Sequence, residues 1–121
     1  MAIFDGLADH EVDRIKNTGT HLTLPANWSP ISEKTAADKA YIILGGEASV
    51  RRKGEEVATI GAGDIFGEGG IVNKKLRNAS IVTTTKVEAI HFTREQLTEL
   101  RDGIPAFADA LDRTVQDRQA Q

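Results

Sequence analysis

From Thr20 to Leu24 polar and apolar residues alternate, which sets Leu22 and Leu24 inward on one face of a strand. Pro25 and Pro30 then remove ladder donors, so this part suits edges and turns, with Trp28 and Ile31 expected to be buried. Ser32 to Lys39 is polar and reads as a loop, and Ala40 to Leu44 is a short apolar run of the kind a buried strand shows. Gly45-Gly46 marks a turn. Ala48 to Arg52 and Glu56 to Ile60 read as two strands about a Lys53-Gly54 hairpin turn. Ala79 to Thr85 and Val87 to Phe92 read as a further strand pair bending near Lys86.

The pattern changes to a helical period at both ends. Over Met1 to Thr18, Val12 and Ile15 share a helical face behind Phe4 and Leu7, with Asp9 as the expected cap and Gly19 as the stop. Thr93 with Gln96 three residues on forms a capping box, and the helix it opens carries Leu97 and Leu100. Gly103 and Pro105 break and restart the chain. Ile104, Phe107, Ala108, Leu111 and Val115 then make one apolar stripe over Pro105 to Arg118. That stripe suits packing against a sheet, pairing with a second copy, or folding over a ligand as a lid.

Many short strands separated by glycine turns indicate a sandwich, roll or barrel, a mainly β fold with flanking helices. A length of 121 residues favours one domain, with a helical segment at 1–19, the β region at 20–92 and the C-terminal helices at 93–118. The formal net charge of −3 argues against non-specific nucleic-acid binding, and the basic clusters Arg51-Arg52-Lys53 and Lys74, Lys75 with Arg77 read by themselves as solvated surface. Without cysteine the chain has no disulfide and no thiolate metal site. No signal peptide and no apolar run of spanning length is visible, so a cytoplasmic protein without membrane contact is expected.

The candidate chemistry lies in Gly61 to Arg77. A turn, Gly61-Ala62-Gly63-Asp64, leads through Ile65-Phe66 into Gly67-Glu68-Gly69-Gly70, and Arg77-Asn78-Ala79 follows. Glycines let backbone amides approach a bound group closely, and amides together with a guanidinium suit a phosphate. A carboxylate beside them accepts hydrogen bonds from a neutral hydroxyl. Together these groups suit a sugar phosphate.

Phe66-Gly67-Glu68 with Arg77-Asn78-Ala79 nine residues after the glutamate resembles the phosphate-binding cassette of the cyclic nucleotide-binding domain family. The resemblance is best from about Ala40 to Leu100. It implies a double-stranded β-helix, a jelly roll or β-roll of eight strands, with a short N-terminal helix and C-terminal helices. It also implies that Glu68 holds the ribose 2′-hydroxyl and that Arg77 pairs with the cyclic phosphate. Backbone amides near Gly67 and Ala79 would assist, and Gly69 and Asn78 complete the expected ligand-binding set, the asparagine being able to donate or accept toward base or phosphate. The expected ligand is cyclic AMP, with cyclic GMP the alternative, and no metal. Output would pass to a separate protein partner or to a homodimer through the C-terminal helix, since the chain reads as a stand-alone module without a DNA-binding domain. Thr83, Thr84 and Thr85 are candidate pocket residues, and Phe107 is a candidate for stacking on a purine.

Two rivals stand beside this reading. Gly69-Gly70, Leu76 and the scarcity of aromatics near the C-terminus favour a degenerate module that binds no nucleotide and serves as an interaction or oligomerisation domain. A jelly roll can also be a metalloenzyme, but His10, His21 and His91 lack the spacing of a metal motif. No catalytic residues are expected, and the protein is read as a non-enzyme.

Overall fold

The computed structural model describes residues 3–31, 38–68 and 79–119. Among these residues helix α1 (Asp9–Thr18) precedes seven strands: β1 (Thr20–Leu24), β2 (Lys39–Gly45), β3 (Ala48–Arg52), β4 (Glu55–Ile60), β5 (Ile65–Phe66), β6 (Ser80–Thr83) and β7 (Val87–Thr93). Two helices follow, here α2 (Arg94–Gly103) and α3 (Pro105–Gln119). The strands form two antiparallel sheets, one ordered β1-β7-β2-β5 and one ordered β4-β3-β6. The expected mainly β roll with flanking helices is what forms.

The four-stranded sheet is covered on both faces, which accounts for the unbroken apolar run of β2. Ala40, Ile42, Ile65, Ile90 and Phe92 belong to one buried cluster with Ile15, Leu97, Leu100, Phe107 and Leu111 of the helices. Tyr41, Ile43, Phe66, Val87 and Ala89 belong to a second cluster with Ala48, Ile60 and Ile81 of the other sheet. Alternate residues of one strand thus serve two cores, as a period of two requires. The C-terminal stripe is spent on the first core, where Ile104, Phe107, Ala110 and Leu111 are buried. Packing is therefore the role of that stripe in this conformation.

Local chemistry sets the ends of several elements. Gln96 donates its backbone N–H to Thr93 Oγ1 at 3.1 Å, and the Thr93 amide donates to Gln96 Oε1 at 3.0 Å, completing the expected capping box. At α1 the expectation shifts by one residue. Ala8 is the N-cap and its amide donates to Glu11 Oε1 at 2.9 Å, while Asp9 stands inside the first turn, where its charge favours the helix dipole. Lys53 (φ 54°) and Gly54 (φ 80°) make the tight turn between β3 and β4, both left-handed as a two-residue hairpin of this twist demands.

Three other expectations are corrected. Ala79 to Thr85 and Val87 to Phe92 do not pair with each other. β6 pairs with β3, and β7 lies between β1 and β2 in the other sheet. The chain crosses over at Thr84-Thr85-Lys86, where the amides of Thr84 and Thr85 donate to the Glu47 carbonyl at 3.0 and 3.4 Å. β7 is apolar on both faces, so it fits a position inside the doubly covered sheet. Trp28 is 53% exposed instead of buried. Its backbone is held by Thr83, which accepts from the Trp28 amide at 2.8 Å and returns its own amide to the Trp28 carbonyl at 2.8 Å. Asn27 preceding it is left-handed (φ 61°), and the indole is left in solvent. Finally, Lys39 opens β2 instead of closing the preceding loop, whose residues 32–37 lie outside the described ones.

Gly46 closes the turn after β2 with φ +98°, and a Cβ there would collide with the Lys86 carbonyl and lie 3.0 Å from Val87 Cα. Both contacts are to backbone of the crossover into β7 and have no soft side chain to yield. Gly46→Ala is expected to lower stability by on the order of 2 kcal/mol, seen as an earlier urea midpoint at unchanged slope.

Candidate functional site

The glycine turn before β5 is fastened on two sides. Gly63 (φ +90°) donates its amide to the Ile43 carbonyl at 2.8 Å, and the Ile43 amide donates to the Asp64 carbonyl at 2.8 Å. Asp64 closes the turn on itself, since its Oδ2 accepts from the Gly61 amide at 2.9 Å. From the other side the Ile3 amide donates to the Gly63 carbonyl at 2.7 Å, which ties the N-terminal segment to this turn.

β5 holds only Ile65 and Phe66, paired with Ile42 and Tyr41 of β2. The ladder runs on from the Ile43 bonds at Gly63 and Asp64, and the two side chains add anchoring on both faces. Ile65 enters the helix-side core and Phe66 the core between the sheets. The Phe66 ring stacks on Tyr41, with centroids 5.0 Å apart and planes 20° from parallel. Tyr41 in turn meets His91 edge-on at 5.2 Å. His91, Tyr41 and Phe66 therefore form one row across three neighbouring strands, on the face that looks toward the second sheet.

Directly beyond this row lies Gly67, with φ +87°, a conformation that a Cβ would strain. Glu68 follows and is 1% exposed, one of three buried polar residues among the described ones, with Ser49 and Thr83. A carboxylate is taken out of water at considerable cost unless it is engaged, so a buried glutamate beside a glycine turn points to a polar task. Ala79 is buried too and stands at the entry to β6. Glu68 thus follows a strand of one sheet and Ala79 precedes a strand of the other. Of the sequence-derived site, Gly67, Glu68 and Ala79 are described. Gly69, Arg77 and Asn78 lie outside the described residues.

Other candidates take structural places. Thr83 is buried, donates its hydroxyl to the Pro25 carbonyl at 2.6 Å and holds the Trp28 loop as above. Thr84 and Thr85 are exposed and hold the crossover, the Thr85 hydroxyl accepting from the Glu47 amide at 3.0 Å. Phe107 is fully buried in the helix-side core, where no base can reach it. His21 and His91 sit at successive register positions of β1 and β7, opposite Ile90 and Thr20, and so turn to opposite faces of the sheet. Among the described residues no three His, Asp or Glu side chains are grouped to hold a metal, and no helix is long and apolar enough to cross a membrane. An open cleft of about 640 Å³, lined by Arg14, Arg94, Glu95, Thr98, Glu99, Asp102 and Gly103, shares no residue with the glycine segment.

The sequence offered His91 only as one of three scattered histidines, because its place against Tyr41 depends on the register. Its pKa is pushed below the ordinary 6.5, first by burial and then by the Lys39 charge, with Asp38 opposing. The unfolded chain therefore takes up a proton near the ordinary value that the folded chain accepts only at lower pH. Stability from this group is complete above the ordinary value and is lost as pH falls below it. The melting temperature is expected to drop between pH 7.5 and pH 5.5, and His91→Gln is expected to flatten that part of the profile; an unchanged slope in the variant counts against the assignment.

With this geometry in view, comparison with known proteins is informative. The family model for the cyclic nucleotide-binding domain matches residues 22–103. A cAMP-dependent protein kinase regulatory subunit of Yarrowia lipolytica is 33% identical over 90 residues, which cover 73% of this chain and 24% of the relative. A CRP-like cAMP-activated global transcriptional regulator of Mycobacterium tuberculosis is 26% identical over 121 residues, covering 96% of this chain and 54% of the relative. The crystal structure of Thermus thermophilus catabolite activator protein shares the fold with a TM-score of 0.86 at 24% identity, over 98% of this chain and 58% of that one. The chain spans about a quarter of the first of these relatives and about half of the other two. Because the family model runs from β1 through α2 and takes in the whole glycine segment, this chain belongs to the cyclic nucleotide-binding domain family.

Proposed function

We propose that the chain binds a 3′,5′-cyclic nucleotide, cyclic AMP in preference to cyclic GMP, and acts as a regulatory module. The observation that carries this reading is Glu68: a carboxylate 1% exposed, directly after left-handed Gly67, inside the segment matched by the family model. In this reading Glu68 accepts a hydrogen bond from the ribose 2′-hydroxyl. Arg77 pairs with the cyclic phosphate, and amides at Gly67, Gly69 and Ala79 supply further donors. Asn78 faces the base or the phosphate. The preference for cyclic AMP takes support from the names of the two relatives, each of which is described as cAMP-dependent or cAMP-activated.

Binding would tighten the glycine segment and shift the C-terminal helices, changing a contact with a partner protein or a second copy. Such a shift requires that the ligand bind the two conformations with different affinity. The chain's own residues bind and orient and leave the ligand unchanged, so no catalytic step enters. Titration calorimetry with cyclic AMP and cyclic GMP tests the reading. Saturable heat with cyclic AMP, weaker with cyclic GMP, is expected. No heat with either at millimolar concentration would remove it and favour the degenerate interaction module that Gly69-Gly70 and Leu76 suggest.

A further inference from the structure

We infer that Tyr41 is a positioning residue for Glu68, acting through its ring stack on Phe66; this deepens the proposed function and rests on it. β5 is two residues long, and Phe66 is the last of them before Gly67 and Glu68. Main-chain pairing reaches Ile42 and Tyr41, next to the Ile43 bonds to Gly63 and Asp64, and ends at Phe66. The stack with Tyr41, 5.0 Å between centroids and 20° between planes, holds the Phe66 side chain at the point where the chain leads into Gly67. His91 meets Tyr41 from the far side at 5.2 Å and closes the row, so Tyr41 is held between two rings. Gly67 at φ +87° turns the chain directly from the ring-held Phe66 into Glu68. The backbone that carries Glu68 thus starts from a residue packed in this row.

The consequence is chemical selectivity at one ligand atom. If Tyr41 aims Glu68, its loss weakens recognition of the 2′-hydroxyl while leaving phosphate recognition in place. Cyclic AMP and 2′-deoxy cyclic AMP differ only in that hydroxyl, and a hydrogen bond to a charged acceptor is worth about 10- to 100-fold in affinity. Wild type is expected to prefer cyclic AMP over the deoxy analogue by about that factor. Tyr41→Leu is expected to reduce the preference to under about 3-fold, mostly through weaker cyclic AMP binding, and Tyr41→Phe to keep it because the ring remains. Should Tyr41→Leu not fold, Tyr41→Met, whose flexible chain adapts to an irregular gap, takes its place.

Hydrogen exchange over residues 66–68, measured without ligand, supplies the arm that does not depend on nucleotide. Faster exchange there in the leucine or methionine variant, with exchange in α2 unchanged, is the expected result. A folded variant with wild-type preference and wild-type exchange would overturn the inference, as would equal loss of preference in Tyr41→Phe. Absence of any cyclic nucleotide binding by wild type would defeat the proposed function, and the exchange measurement would still decide whether Tyr41 governs this segment.

Discussion

Arg77→Ala is expected to weaken cyclic AMP binding by about 2–4 kcal/mol, roughly 30- to 1,000-fold in Kd, with little change in melting temperature. A guanidinium presents several N–H donors in a fixed plane and matches two phosphate oxygens at once, which a water or a neighbouring amide does not replace. Loss of such a partner leaves a desolvated charge on the ligand. For the same reason Arg77→Lys is expected to recover only part of the loss, since an ammonium keeps the charge without the fork. A surface arginine without a ligand role would give a change near zero in both binding and stability. Parallel losses in binding and melting temperature would mark Arg77 as structural instead. Glu68→Gln provides the contrast, with a milder loss confined to the sugar.

Phe107→Ala is expected to cost about 3–5 kcal/mol of folding stability, a large share of the roughly 5–15 kcal/mol that holds a domain of this size. Phe107 is fully buried, its amide bonds the Ile104 carbonyl at 2.9 Å, and its cluster joins both C-terminal helices to Ile90 and Phe92 of β7. Truncation leaves a cavity that the sheet side, made of backbone-fixed strands, collapses into poorly. Urea denaturation followed by circular dichroism measures the loss, and Phe107→Leu is expected to fall between wild type and alanine. A loss below about 1 kcal/mol would mean that α3 is not held to the sheet through this face. A binding defect without a stability defect would restore the lid reading of the same residue.

Strand identity and turn positions were legible from alternation and glycine, and the capping box at Thr93 from two residue types at the right spacing. Pairing was not. The run from Ala79 to Phe92 reads as a hairpin because its two strands are close in sequence, yet they part at Thr84-Thr85 because β6 has one buried face to satisfy and β7 has two. Trp28 shows a second limit, since a large apolar side chain predicts burial and a left-handed Asn27 with a threonine clamp overrides it. Glu68 was singled out by its glycine neighbours, and its burial agrees with a specific task. The Tyr41 row behind it depends on register across three strands, which no local pattern encodes.

The bond from the Ile3 amide to the Gly63 carbonyl bears on how the protein is cut and tagged. Secondary structure alone would suggest starting a minimal fragment at α1, since only a turn precedes it. Such a fragment would discard Ile3, open a hole in the helix-side core and free the peptide on which Gly63 rests. Its ligand affinity would then report the trimming as much as the native molecule. Fusion junctions and protease sites belong upstream of Ile3.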